Sequence, residues 1–279
     1  MDKANRPHIF CHMETSLDGK IMGKYLWIEE TNAEEDSFYT LFSGPKAYFK
    51  PQALLNGRTT VEDNFTFYKT PDVDEGAAPV PAGDFLADDG KTGFYLIVTD
   101  SKGRVAWEEG QLTDFYGHEK AQVVEVLSEQ ATNAYKAYLR DKGVSYLICG
   151  KDRIDLELTC RKLKDVLHLD SVMLGGGGAI NWSFLQQLMR RSERRHRPGS
   201  RRQCRHADLV HGPSRFSDDQ PVVFSVKDCK VMADGKVWLR YDVKGRVNTI
   251  LPLTVNIRPF RICWPRSAIR KGGFPKERP

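Results

Sequence analysis

Nowhere among the 279 residues does an apolar run approach the roughly 18 that a membrane-spanning helix needs, which excludes a helical membrane protein. Cysteine is sparse. The six (Cys11, Cys149, Cys160, Cys204, Cys229, Cys263) are scattered without a CxxC pair, leaving no paired-cysteine metal site and no disulfide framework. Cys11 and Cys149 lie inside apolar runs and are expected to be buried thiols. The first residues, Met1-Asp-Lys-Ala-Asn-Arg-Pro7, hold no signal-peptide core, and a cytoplasmic protein is expected. At 40% hydrophobic and 28% charged residues the composition is that of a globular chain, with room for one large domain or two small ones.

Lysine is missing from residues 189–215, where nine Arg stand against two acids for a net charge of +7. Residues 246–279 hold eight Lys or Arg against one acid, again +7, so the overall +5 leaves −9 on the rest of the chain. An acidic body with two basic segments does not read as a nucleic-acid binder built as one surface.

The stretch Ser171-Val-Met-Leu-Gly-Gly-Gly-Gly-Ala-Ile-Asn-Trp-Ser-Phe-Leu185 carries the chemistry that is present. An apolar strand end, four glycines (Gly175, Gly176, Gly177 and Gly178) and a helix start can close backbone N–H groups on a phosphate. Neither standard phosphate motif fits: no Lys-Ser/Thr follows the glycines, and no acidic residue stands about 20 positions on. A tight strand-to-helix turn without a ligand reads equally from these residues.

Taken in order, Ile9–Met13 predicts a strand, and the Asp18-Gly19 turn puts Ser16 and Asp18 at its end. Residues 33–42 predict a helix with an acidic first turn. Gly57 reads as a strand end, with Thr59 and Thr60 as cap and first turn of a helix suited to a second phosphate contact. Residues 70–93 predict a long surface loop, and Phe94–Ser101 a buried strand. Ala121, Val124, Leu127, Ala131, Ala134 and Tyr138, three and four apart, predict a helix over 119–142. Then come a strand over Val144–Gly150, a helix over 155–168, strands over Val222–Val226, Lys227–Met232 and Lys236–Val243, and a hairpin turn at Ala233-Asp-Gly235. Elements alternate and polar residues collect at strand C-termini, where open α/β sheets bind ligands.

In that order, Ser16-Leu-Asp-Gly-Lys-Ile21, Gly57-Arg-Thr-Thr60, Val98-Thr-Asp-Ser101, Gly150-Lys-Asp-Arg-Ile-Asp-Leu156 and the Gly175–Leu185 stretch resemble the reductase domain of riboflavin biosynthesis. The likeness spans residues 7–187 and 216–244. It implies the dihydrofolate-reductase-like fold: α/β, a mostly parallel central sheet flanked by helices, with a C-terminal antiparallel hairpin in one domain over 1–245. It further implies NADPH as cofactor and hydride transfer to C1′ of a ribosylaminopyrimidine phosphate, as in 5-amino-6-(5-phosphoribosylamino)uracil reductases. By the same resemblance Gly57, Thr59, Thr60 and Asn64 would touch the cofactor near its phosphates. Ile154 would pack on its adenosine side, and Gly175 to Gly178 would hold its pyrophosphate. Ser16 and Asp18 would line the substrate, with Asp18 as the candidate catalytic acid. No metal is implied, and the zinc-deaminase signature of the fused enzymes (H-x-E with P-C-x-x-C) is absent. Homodimers are common in the family. One departure stands out: the riboflavin enzymes usually carry Glu where this chain has Gly175, a glycine shared with less specialised members. A reductase of another small heterocycle or carbonyl, and an inactive nucleotide- or RNA-binding protein, are the alternative readings.

Residues 189–215 fit the family badly, since an acidic helix end, a buried strand and a polar loop are expected there. Codons can be chosen for Arg190 to Arg215 that, shifted by one base, read DEASVVIAPAADGNADTQTLFMARA, which has those three features in order. We therefore expect a segment translated between two compensating single-base changes; a basic arm for RNA or acidic partners is the rival. The tail 246–279 is expected to be disordered. Resequencing the gene should reveal the two compensating changes, whereas an intact native frame through this stretch would sink the idea.

Overall fold

The computed structural model describes residues 6–27, 36–45, 47–87, 93–188 and 222–246. The Arg-rich segment 189–215 and residues 247–279 of the expected tail lie outside the described residues. Seven strands make the main sheet: β1 (His8–Cys11), β2 (Ala53–Gly57), β3 (Tyr95–Thr99), β4 (Gln111–Phe115), β5 (His118–Leu127), β6 (Ser145–Ile148) and β7 (Ser171–Gly176). Their order is β1-β7-β2-β3-β5-β4, with β6 also paired to β5; every pairing is parallel except β4 with β5. Strands β8 (Val222–Val231) and β9 (Val237–Arg246) pair antiparallel as a separate two-stranded sheet. This is the mostly parallel α/β architecture with a closing hairpin that the resemblance implies.

Successive side chains of a strand point to opposite faces, and the inner strands are apolar on both, as a sheet covered on two sides requires. Leu54, Leu96, Val98, Val123, Tyr146 and Met173 join one core. Their neighbours Leu55, Ile97, Val124, Leu147, Val172 and Leu174 join the other. The first core is closed by α1 (Ser37–Thr40), α2 (Arg58–Val61) and α3 (Asn133–Asp141) through Phe42, Val61, Tyr135 and Leu139. The second is closed by α4 (Leu156–Asp165) and α5 (Gly178–Leu188) through Leu156, Cys160, Leu163 and Phe184. Helices α3 and α4 start on local caps: Thr132 Oγ1 accepts from Tyr135 N at 3.1 Å, and Asp155 Oδ1 accepts from Glu157 N at 2.8 Å. Such caps answer donors that a helix start leaves open.

Three expectations need correction. The predicted helix over 119–142 is a strand up to Leu127, and the helix occupies only Asn133–Asp141. The run Ala121–Leu127 is buried on both faces, so its spacing reports continuous burial rather than one helical stripe; Val123, Val124 and Val126 are the β-branched residues that favour a strand. Ahead of it, Tyr116 (φ 48°) and Gly117 (φ 78°) make the two-residue turn of the β4–β5 hairpin, whose positive φ at both positions matches the strand twist. The two predicted strands over 222–232 are one, with register shifts between Val223 and Phe224 and between Val226 and Asp228. Cys149 is buried, but Cys11 is exposed on β1, which among the described residues pairs only with β7.

The described part of the long loop, 70–87, is pinned. Asp84 Oδ1 accepts from Ile148 N at 2.8 Å and from Lys162 Nζ at 2.7 Å, and Phe85 bridges Tyr146.

Strand β5 also carries a fully buried carboxyl, Glu125. Trp107 Nε1 donates to its Oε1 at 2.6 Å, while Oε2 has no partner among the described residues. Burial, and then the nearby Asp100 charge, raise its pKa well above the usual carboxylate range. The native state therefore binds this proton more tightly than the unfolded chain, and stability falls as pH rises past the unfolded carboxyl's range. Glu125→Gln keeps the acceptor for Trp107 and removes that penalty. The variant should melt above the wild type, with a gap that widens as pH rises above the unfolded carboxyl's range; parallel Tm profiles would contradict the assignment.

Candidate functional site

Strands β2 and β7 are parallel neighbours and end side by side. The backbone that follows each strand therefore opens on the same crevice, the place where parallel sheets receive ligands. After β2, Gly57 caps α2 in an extended conformation without a side-chain hydrogen bond, and Thr59 and Thr60 fall inside the first turn. The capping role expected at the threonines thus belongs to Gly57. The single turn of α2 widens into a π-helical turn, Glu62–Thr66, which places Asn64 so that its Nδ2 donates to Thr60 O at 2.7 Å.

At the end of β7 the backbone runs close to its neighbours. A Cβ on Gly175 would lie 2.5 Å from Asn56 Oδ1 and 2.5 Å from Leu54 Cδ1. Gly176 takes φ +108°, and a Cβ there would lie 3.1 Å from Met13 Cε; one on Gly177 would lie 3.4 Å from Thr60 Oγ1. Gly177 O accepts from Ile180 N and Asn181 N, both at 3.2 Å, so α5 begins at the crevice. The amides that open an α-helix have no acceptor within it and carry the positive end of its dipole.

Between these segments lies a cavity of about 650 Å³. Gly57, Thr59, Thr60, Asn64 and Gly175 to Gly178 all line it, joined by Met13, Ile21, Phe38, Phe42, Arg58 and Asn56. The glycine cradle, the hydroxyls and the helix start give one side the donors an anionic group needs, and the aromatic and aliphatic residues give the other an apolar wall. These residues fit a phosphate-bearing dinucleotide.

Arg58 is held from behind. Its Nη1 donates to Glu62 Oε1 at 2.6 Å and to Oε2 at 2.5 Å, and its Nε lies 4.0 Å from Asp100 Oδ1. Asp100 is buried and accepts from the amides of Arg104 and Val105. Burial raises its pKa despite those hydrogen bonds. Arg58 is thereby fixed beside the crevice as a partly compensated cation.

Three expected residues lie elsewhere. Ile154 lines a second cavity of about 430 Å³, at the end of β6, with Lys151, Asp152 and Arg153. Ser16 and Asp18 stand on an exposed turn and do not line the main cavity, although their neighbours Glu14 and Ile21 do. Asp18 pairs with Lys20 and accepts from Ser16 Oγ at 2.5 Å; these contacts, Lys20 first, lower its pKa and hold it ionised, which works against a proton-donor role.

The residue that sequence reasoning missed is Asn56. It is 3% exposed, it lines the cavity, and its Oδ1 has no partner among the described residues. The signal was a polar side chain inside the apolar strand Ala53-Leu-Leu-Asn-Gly57. Phe38 and Phe42, four apart in the predicted helix, were likewise readable as a wall.

No family model matches the chain. Among solved structures it is similar to a pyrimidine reductase-like protein of Corynebacterium diphtheriae, with 14% identity, a TM-score of 0.52, and coverage of 86% of this chain and 93% of that one. A diaminohydroxyphosphoribosylaminopyrimidine deaminase/5-amino-6-(5-phosphoribosylamino)uracil reductase of Thermotoga maritima matches at 16% identity and a TM-score of 0.45. That match covers 86% of this chain and 57% of the other, so the chain spans little more than half the length of that protein. Riboflavin biosynthesis reductase of Saccharomyces cerevisiae matches at 16% identity and a TM-score of 0.44, over 87% of this chain and 92% of that one. The first likeness shows the fold. Among the described residues no helix is long and apolar enough to cross a membrane.

The contact of Gly175 with Asn56 and Leu54 gives a direct test. Gly175→Ala should destabilise by about 1–3 kcal/mol, the usual cost of overpacking. Adding Asn56→Ala should recover part of that loss; strictly additive Tm changes in the double variant would show that the two residues do not crowd each other.

Proposed function

We propose that the chain is an NADPH-dependent oxidoreductase that reduces the ribosylamino group of an aminopyrimidine phosphate to ribitylamino. The observation that carries this reading is the convergence of Gly57–Thr60 and Gly175–Gly178 on one cavity at the ends of adjacent parallel strands. A reduced nicotinamide, when bound, supplies the hydride, and the protein supplies orientation and electrostatics. In this reading the amides at the start of α5, together with Thr60 and Asn64, hold the anionic part of the cofactor. Met13, Ile21, Phe38 and Phe42 keep water from the reacting end. Ile154 and its loop take the adenosine side, and the turn with Ser16 and Asp18 approaches the substrate. The protein works in the cytoplasm as a homodimer.

One observation favours a second reading, a reductase of another small heterocycle or carbonyl. The volume that a side chain at Gly175 would need is filled by Asn56 and Leu54, so the glutamate usual in the riboflavin enzymes has no room there. A buried amide oxygen without a partner stands in its place, a group that selects for a hydrogen-bond donor on the substrate.

NADPH at about a hundredfold its Kd should raise the Tm by roughly 5 °C or more, with a smaller effect of NADH. Loss of reduced-nicotinamide absorbance should then depend on the ribosylaminopyrimidine phosphate. Absence of any NADPH shift in a cooperatively melting protein would overturn the enzyme reading. A shift with turnover only on other heterocycles or carbonyls would select the second reading.

A further inference from the structure

The aromatic side of the main cavity holds two tyrosines. Tyr39 of α1 and Tyr116 of the β4–β5 turn both line it, beside Phe38 and Phe42. The tyrosine rings lie 24° from parallel with centroids 5.7 Å apart. The phenylalanines brace them edge-on, Phe38 against Tyr39 at 5.0 Å and Phe42 against Tyr116 at 5.4 Å. The pair forms one aromatic shelf, and Tyr39 is still 45% exposed. Tyr116 stands where the backbone does not favour it. It takes φ 48° at the first position of a two-residue turn, a place that asparagine or aspartate ordinarily fills and a bulky side chain resists. The turn is anchored by main chain: Ser43 Oγ donates to Tyr116 O at 2.6 Å, and a Cβ on Gly117 would lie 2.8 Å from that Oγ. Packing against Phe42 and Phe115 would be met equally by phenylalanine. No hydrogen bond among the described residues engages either phenol hydroxyl. Burial, with the nearby Tyr39, pushes the Tyr116 phenol up to about 12, and burial followed by the Asp36 charge raises that of Tyr39. Both are therefore O–H donors at neutral pH.

We infer that the Tyr39–Tyr116 shelf seats a planar heterocyclic ring of the substrate, by stacking and by donation from the phenol hydroxyls to ring oxygen or nitrogen. The inference deepens the reductase reading and rests on it for the reaction, while the shelf itself concerns binding alone. Stacking on a tyrosine requires a flat π-surface. The phenol protons require acceptors on that ring. Across the same cavity Asn56 Oδ1, without a partner among the described residues, requires a donor. A flat ring that carries both oxo groups and N–H groups answers all three demands, and an aliphatic aldehyde or ketone answers only the second. The shelf thus selects an oxo-heterocycle against a small saturated carbonyl compound. It also explains why a tyrosine occupies a turn position that asparagine would hold with less strain: its side chain serves the site rather than the turn.

Uracil and 5,6-dihydrouracil share their polar groups, and only the first has a flat π-ring. Titrated without cofactor and followed by NMR, uracil should bind the full-length protein about tenfold or more tighter than dihydrouracil. Its H5 and H6 resonances should move upfield, as protons over an aromatic face do. Tyr116→Asn, which suits the turn, and Tyr39→Leu should each keep a cooperative melt and abolish both the preference and the upfield shift. Tyr39→Phe and Tyr116→Phe should keep the preference and weaken both ligands severalfold, through the lost donors. Equal affinity for the two ligands, no binding of uracil, or a preference that survives both Tyr116→Asn and Tyr39→Leu would overturn the shelf. Where those two variants fail to fold, the upfield shift in the wild type and the phenylalanine variants decide. The two readings fail separately. Ring binding as described, without NADPH-dependent turnover of any substrate, would keep the shelf and overturn the reductase; turnover without a preference for the flat ring would do the reverse.

Discussion

The close approach of bare backbone at the end of β7 is the constraint on which the rest of the molecule depends. At Gly175 a side chain would run into Asn56 and Leu54, and the two glycines after it pass close to Met13 and Thr60. Gly175 meets that demand by having no side chain, and Gly176 adopts a positive φ that a larger residue would resist. Because β7 lies between β1 and β2, this uncovered backbone faces the segment that follows β2, and the crevice has two polar walls instead of one. The apolar cores on both faces of the sheet hold these walls at a fixed separation.

Most of the frame was legible in the sequence. The runs Ala53–Gly57, Tyr95–Thr99 and Ser171–Gly176 are apolar, short and bounded by glycine or polar residues, and strand is the state that suits all three features. What defeated the pattern was β5, where an uninterrupted apolar run meets helical and extended periodicities equally well. Tertiary pairing with β3 and β6 decides that segment. The site was legible where backbone chemistry dictates residue type, as at Gly57 and Gly175 to Gly178. It was not legible where a side chain's neighbours matter: Asn56 Oδ1, without a partner among the described residues, sits at a register shift between two strands far apart in sequence. The turn position of Ser16 and Asp18 was readable, while the Lys20 pairing that keeps Asp18 ionised depends on how that turn closes.

Behind the crevice the acidic side chains form a graded series. Glu62 is neutralised by Arg58, Asp100 is steadied by two backbone amides, and Glu125, deepest, is disfavoured as an anion. The charge near the cavity is therefore set by burial and by whether a cation or amide lies within reach, since an isolated buried anion is costly and a paired one is tolerated.

Among the described residues strand β1 pairs only with β7, and the hairpin forms a sheet of its own. An edge of this kind is a template on which another extended segment can add. Self-association that begins on partial unfolding would thus start from an edge strand such as β1 rather than from the folded surface. Conditions that keep the edge strands folded into the sheet therefore protect the protein from aggregation without touching its crevice.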